Sequence, residues 1–245
     1  MPMYYGSYYY GYSGLSPLYF LALLAIFALA LFAQIKVKTN FTKYSAMRCS
    51  SGFTGAQAAQ RILQANGVTN IRIEAVPGEL TDHFDPATNV IRLSERVYGA
   101  STVAAVGVAA HEAGHAVQYA TGYAPIRLRS AIIGVTNFAS QWSILLFIAG
   151  LFLCAVSQQL IIVAYIGFFL YCMIAFFQLV TLPVEFNASR RALRALQSSA
   201  ILTDTELRGA RNVLSAAALT YVASMLTTLL QVFRLFTILR KNDRN

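Results

Sequence analysis

His111-Glu112-Ala113-Gly114-His115 is the stretch of this 245-residue chain whose residue types and spacing could carry out a reaction. It lies in an apolar, alanine-rich segment from Ser101 to Thr121 that predicts a helix. Positions i and i+4 of a helix share a face one turn apart, so both imidazoles can grip one metal ion. Glu112 lies beside that face and can reach a water on the same ion. Two imidazole ligands, a water and a carboxylate to take its proton are the parts used for zinc-dependent peptide hydrolysis. H-E-x-x-H also arises by chance. A helix context, a start capped by Ser101 or Thr102, and small Ala and Gly residues that leave room for a substrate argue for a metal site.

Reactive zinc needs a third protein ligand and an open fourth position. The candidates are His83, the only other histidine, and Glu74, Glu79, Asp82, Asp85, Glu95, Glu185, Asp204, Glu206 and Asp243. His83 reads three ways: a surface residue of a hairpin, a cleft residue that helps bind a developing oxyanion, or the third ligand. Asp82 and Asp85 read as turn formers. Glu185 is the best of the acids. It ends a run of 55 residues, Ser130 to Val184, without Asp, Glu, Lys or Arg. A carboxylate there needs a partner. Zinc would be one; a salt bridge to Arg190, Arg191 or Arg194 would be another, and the residues alone leave both open. Asn187 and Ser189 either support the ligand by hydrogen bonds or are ordinary helix residues.

The elements that must position these residues belong to a membrane protein. Hydrophobic residues make up 57% of the chain and charged residues only 12%, far below soluble chains. The net charge of +9 does not point to nucleic acid, because no basic stretch is interleaved with exposed aromatics. The cations flank apolar runs instead. Cys49, Cys154 and Cys172 form no C-x-x-C, which argues against a disulfide framework.

In chain order, residues 1–14 form an uncharged Tyr/Gly-rich tail. Residues 15–34 are a retained span rather than a signal peptide, lacking a basic n-region and a clear cleavage site. Lys36, Lys38, Lys43 and Arg48 place the segment after this span in the cytoplasm. Residues 36–128 read as a small folded domain. It has a helix from Gly55 to about Ala65 capped by Thr54, a strand over 69–76, and a hairpin of 80–84 with 89–93. A short helix capped by Ser94 and the metal helix, ended by Gly122 and Pro125, complete it. The hairpin supplies an edge to which an extended peptide can add. Residues 130–182 form a transmembrane hairpin with a break near Ser157-Gln158-Gln159. Residues 183–211 are cytoplasmic helices bearing Glu185, with a bend expected at Pro183 and a capping box at Thr203-Asp204-Thr205-Glu206. Residues 212–245 contain a fourth span or a helix lying on the membrane surface.

These blocks resemble a known family, the bacterial membrane-bound neutral zinc metallopeptidases, or YugP-like proteins. The likeness rests on Ser51-Gly52-Phe53-Thr54-Gly55-Ala56, residues 77–86 (PGELTDHFDP), residues 109–116 (AAHEAGHA), Gly122-Tyr123-Ala124-Pro125 and residues 179–186 (LVTLPVEF). Glu185-x-x-Ala188 resembles the ligand helix of gluzincins, which implies that Glu185 completes the zinc site. The resemblance would put aspartate where Asn187 and Ser189 stand. The expected architecture is an α-helical membrane protein with a small α+β zincin-like domain and about four transmembrane helices. The expected function is a zinc-dependent endopeptidase at the cytoplasmic face of a bacterial membrane. His111, His115 and Glu185 would hold one Zn2+ per chain, Glu112 would be catalytic, and a peptide or membrane-protein segment would be the substrate. A non-proteolytic zinc-containing scaffold or chaperone-like protein is the alternative, disfavoured because a structural site needs no general base. A channel is disfavoured because no acidic or basic side chain lies inside the proposed spans.

Overall fold

The helix bearing the H-E-x-x-H motif is apolar on every side, and a helix of that kind must be enclosed by other elements. In the computed structural model, which describes residues 17–79 and 81–242, it is enclosed. In chain order the elements are α1 (Pro17–Ser45), α2 (Gly55–Ala65), β1 (Arg72–Val76), β2 (His83–Asp85), β3 (Val90–Ser94), α3 (Glu95–Tyr98), α4 (Val103–Ala120), α5 (Ala124–Cys154), α6 (Ile161–Ser198) and α7 (Asp204–Asn242). The motif sits on α4, which packs against α2, the sheet, α6 and α7. Ala109, Ala110, Ala113 and Ala116 are fully buried in one core with Ile62, Leu93 and Leu196. The small residues expected to leave room for a substrate are instead filled against neighbouring helices. The tyrosine-rich tail lies outside the described residues.

Local chemistry sets the helix starts. Thr54 and Gln57 form a reciprocal capping box on α2, with Thr54 N–H donating to Gln57 Oε1 at 2.9 Å and Gln57 N–H to Thr54 Oγ1 at 3.3 Å. Thr102 caps α4 by accepting from Ala105 N–H. Thr203 and Glu206 make the same box on α7, and Glu206 also accepts from Ser50 N–H at 2.6 Å, tying the segment after α1 to α7. Ser94 precedes α3 but makes no side-chain cap. Its N–H and hydroxyl both donate to Asp82 Oδ1, at 2.7 and 3.0 Å. Asp82 thus pins the hairpin to the start of α3 rather than merely shaping a turn.

The sheet has the order β1-β3-β2, with β1 parallel and β2 antiparallel to β3. Central β3 carries the buried Val90, Ile91 and Leu93. β2 is an edge strand and lies against α4. The hairpin is shorter than expected, beginning at His83; Leu80 lies outside the described residues.

Four helices, α1, α5, α6 with its leading 3₁₀ turn, and α7, are long and apolar enough to cross a membrane. Large apolar side chains stand exposed along them, among them Phe27, Phe152 and Phe169, as expected of surfaces that meet lipid. α5 and α6 form a close antiparallel hairpin: a Cβ on Gly150 would strike Ala164, and one on Gly167 would strike Phe147. The helices also run on where breaks were expected. α1 continues to Ser45, Pro125 begins α5 instead of merely closing α4, and α6 carries Pro183 inside one helix. The capping box and the last apolar run share α7, which packs against α1 and α6 rather than lying apart.

Candidate metal centre

α4 meets α6 at Gly114. A Cβ there would lie 2.7 Å from the Ala188 carbonyl oxygen, so glycine is what permits this approach. The close seam brings Glu185, one turn before Ala188 on α6, opposite the two histidines. His115 Nε2 lies 3.1 Å from His111 Nε2, and Glu185 Oε2 lies 3.2 Å from His111 Nε2 and 3.5 Å from His115 Nε2. Tetrahedral zinc with bonds of about 2.0–2.1 Å holds its ligand atoms roughly 3.3 Å apart. The three atoms thus form a triangle of the size a zinc ion needs, and among the described residues they are the group of His, Cys, Asp and Glu that could hold one.

The hydrogen-bond inventory agrees. Gln118 is fully buried, and its Nε2 donates to the Val184 carbonyl at 2.8 Å and to Asn187 Oδ1 at 3.0 Å. A carbonyl can only accept, so the Gln118 oxygen must face His115 and accept its Nδ1–H, at 3.1 Å. That leaves the His115 Nε2 lone pair bare and aimed at the triangle. His111 Nδ1 is paired with Ser189 Oγ at 3.1 Å, so its Nε2 points inward as well. Arg129 Nη1 donates to Glu185 Oε1 at 3.1 Å, leaving Oε2 for the triangle. Lone pairs gathered this closely, in side chains almost sealed from water, are what a cation offsets.

Glu112 is buried beside the triangle and does not join it. Burial pushes its carboxyl up to about 7, opposed by nearby His111 and by the backbone N–H of Phe84 on β2. A cation in the triangle would draw it down again. His83 lies apart from the triangle. Its Nδ1 donates to the Thr81 carbonyl at 2.7 Å, and its ring lines the cavity over the site. It is thus an exposed hairpin residue that also borders the cleft, and not one of the three converging ligand atoms. The cavity measures about 520 Å³ and is bordered by His83, His111, Glu112, Arg129, Glu185 and Tyr221.

The salt bridge expected from Glu185 to Arg190, Arg191 or Arg194 does not form; its cationic partner is Arg129 on α5. Arg190, Arg191 and Arg194 line a different cavity behind α4. Arg191 Nε donates to Asn187 Oδ1 at 2.8 Å, so Asn187 reaches His115 only through Gln118. Gln118, Arg129 and Tyr221 are the residues that the sequence reading missed. Gln118 had a signal, a lone amide three residues after His115 in an alanine-rich helix. Arg129 was visible only as a flanking charge, and Tyr221, which faces Glu185 from α7, had none.

The fold and the site together define a class: a helical membrane protein with a two-histidine, one-glutamate candidate metal centre beside a buried carboxylate. The family model described as "Putative neutral zinc metallopeptidase" matches residues 19–240, and the chain belongs to that family. It is 45% identical over 222 residues to the protein named "Putative membrane protease YugP" of Bacillus subtilis (strain 168), an alignment covering 91% of this chain and 96% of that one. No solved structure matches the chain.

Proposed function

We propose that this chain is a zinc-dependent endopeptidase of the cytoplasmic membrane with its site on the cytoplasmic side. The observation that carries the reading is the convergence of His111 Nε2, His115 Nε2 and Glu185 Oε2 beside the buried Glu112. The three residues fit one zinc ion per chain, held where a zincin-like arrangement of motif helix, edge strand and glutamate helix would hold it. When bound, zinc supplies a Lewis acid that polarises a peptide carbonyl and lowers the pKa of a water to about 7.

The chain's own residues do the rest. Glu112 takes the proton of the attacking water and passes it to the departing amine. The free edge of β2 pairs with an extended substrate and holds its carbonyl over the site. Gln118, Ser189 and Arg129 keep the three ligands in register. The cytoplasmic placement is supported by Lys36, Lys38 and Lys43 after the first span and by Arg127 and Arg129 before the second. The substrates are peptides or juxtamembrane segments of membrane proteins.

Glu112→Gln should keep about one zinc per chain and lose cleavage of a peptide mixture by at least about 100-fold, the general-base contribution. Cleavage by the purified variant at the wild-type rate would contradict the mechanism.

A further inference from the structure

The cleft has two unlike arms that meet at Glu112 and the triangle. The arm towards α5 is the 520 Å³ cavity, whose mixed walls set His83, Ser130 and the Arg129 guanidinium among apolar Phe84, Ile126 and Ile133. The arm towards α7 is a cavity of about 160 Å³ walled by Val108, Val213, Leu214, Ala217 and Ala218. The two share Asp82, His111, Glu112, Glu185 and Tyr221. The narrow arm in turn shares Ser189, Leu214 and Ala218 with a groove of about 190 Å³ between α6 and α7, bordered by Phe186, Leu193, Leu219 and Val222. Among the described residues, no charged side chain lines that groove. Asp82, at the inner end of the narrow arm, already accepts the hydrogen bonds of Ser94.

We propose that the α7 arm and the groove bind an apolar stretch of the substrate, with a small aliphatic residue next to the bond that is cut, while the roomier arm, with Arg129 and His83 among its mixed walls, takes a continuation that carries polar groups. This deepens the peptidase reading and rests on it. The walls decide the chemistry. Ala217 and Ala218 leave space for a short side chain only, the carboxylates at the inner end repel an anionic one, and in the groove beyond any charged side chain would lose its water without gaining a partner. The groove continues outward between two helices that are apolar enough to lie in a membrane, so the substrate chain leaving along it is apolar too. Arg129 and His83 suit polar groups on the other side. The substrate is therefore cut where an apolar segment, such as the end of a membrane span, passes into a polar one. The β2 edge beside the centre favours a peptide over a lipid, whose polar headgroup carries no run of N–H and C=O groups to pair with a strand.

The test uses binding, so that it does not depend on turnover. The full-length, zinc-loaded Glu112→Gln chain in lipid nanodiscs is titrated with fluorescent peptides joining an Ala/Val/Leu half to a Ser/Gln/Asn half, in both chain orders. Matched peptides carry an Asp or an Arg within the apolar half. One order should bind at least 10-fold tighter than its charged counterparts. Ala218→Phe, which fills the arm, should remove that advantage with zinc content unchanged. The milder Val222→Glu, at the half-exposed outer end of the groove, should weaken the apolar peptide and favour the Arg-bearing one. Equal binding of charged and apolar peptides would overturn the proposal, and so would indifference to both substitutions, the result expected if lipid fills the groove. A wild-type protein that binds the preferred peptide without cutting it would overturn the peptidase reading and leave only the binding preference of the two arms.

Discussion

The two helices that build the candidate centre do so by different means. On α4, His111 and His115 are brought together by helix pitch alone, and any helix with that spacing would do the same. On α6, Glu185 is 70 positions further along the chain from His115 and reaches the site only because Gly114 lets the Ala188 backbone come close. One half of the site is local and robust; the other depends on a seam between helices. The supporting contacts follow this division. Gln118 and Ser189 each cross the seam to hold a histidine of α4 against α6, while Arg129 brings in α5 to hold Glu185. A site of this kind is loosened most easily at the seam, without touching a ligand.

Three substitutions sharpen the comparison, in order of expected effect. Gly114→Ala puts a methyl group against the Ala188 carbonyl and moves α6 by a fraction of an ångström to an ångström. A displacement of that size costs on the order of 100-fold in rate. Cleavage and zinc affinity should both fall while the circular dichroism stays helical; an unchanged zinc affinity would show that the seam does not position Glu185. Gln118→Ala and Ser189→Ala keep the helices in place and free one imidazole each. Each should weaken zinc binding by roughly 10- to 100-fold in a competitive chelator titration, the usual effect of losing such a partner. No change in either would argue that helix packing alone orients the rings.

The smallest effect concerns the hairpin, away from the seam. The Arg92 guanidinium, 2.8 Å from Asp85, and the Thr88 hydroxyl hold the Asp85 carboxyl well below the usual carboxylate range. A depressed folded-state value stabilises the hairpin at any pH above the ordinary value of about 4. That contribution disappears as pH falls through the lower, folded value. Asp85→Asn should therefore lower the protection of the β2–β3 amides from hydrogen exchange slightly and equally at pH 6 and pH 8. A difference that changes between those two values would contradict the pH window, and greater protection in Asp85→Asn would contradict the sign.

This division also explains what could be read in advance. The cap at Thr54, the capping box at Thr203, the α2 boundaries and the break at 157–159 rest on neighbouring residues, and they were legible, although the reciprocal bond from Gln57 was not read. So was the meeting of the two histidine rings on one face of α4. Glu185 stood out by residue type, as an acid at the end of an uncharged run, but its partners did not. Arg129 looked like one more flanking cation, and only the α5–α6 hairpin brings it opposite Glu185. The alanines of α4 misled for a related reason. Small residues accommodate either a substrate or a neighbouring helix, and composition does not distinguish them. Here Ala113 and Ala116 are covered by protein. Likewise, apolar runs marked where the chain could meet lipid but not where its helices end, since α1, α6 and α7 continue through charged segments without a break.

The central claim is that α6 completes a metal site begun on α4, and zinc content measures it most directly. Wild type, Glu185→Ala and His83→Ala would be purified side by side in detergent and their zinc per chain determined. About one zinc in wild type, lost in Glu185→Ala and retained in His83→Ala, is the predicted result. Retention in Glu185→Ala together with loss in His83→Ala would contradict the account and move the third ligand to the hairpin.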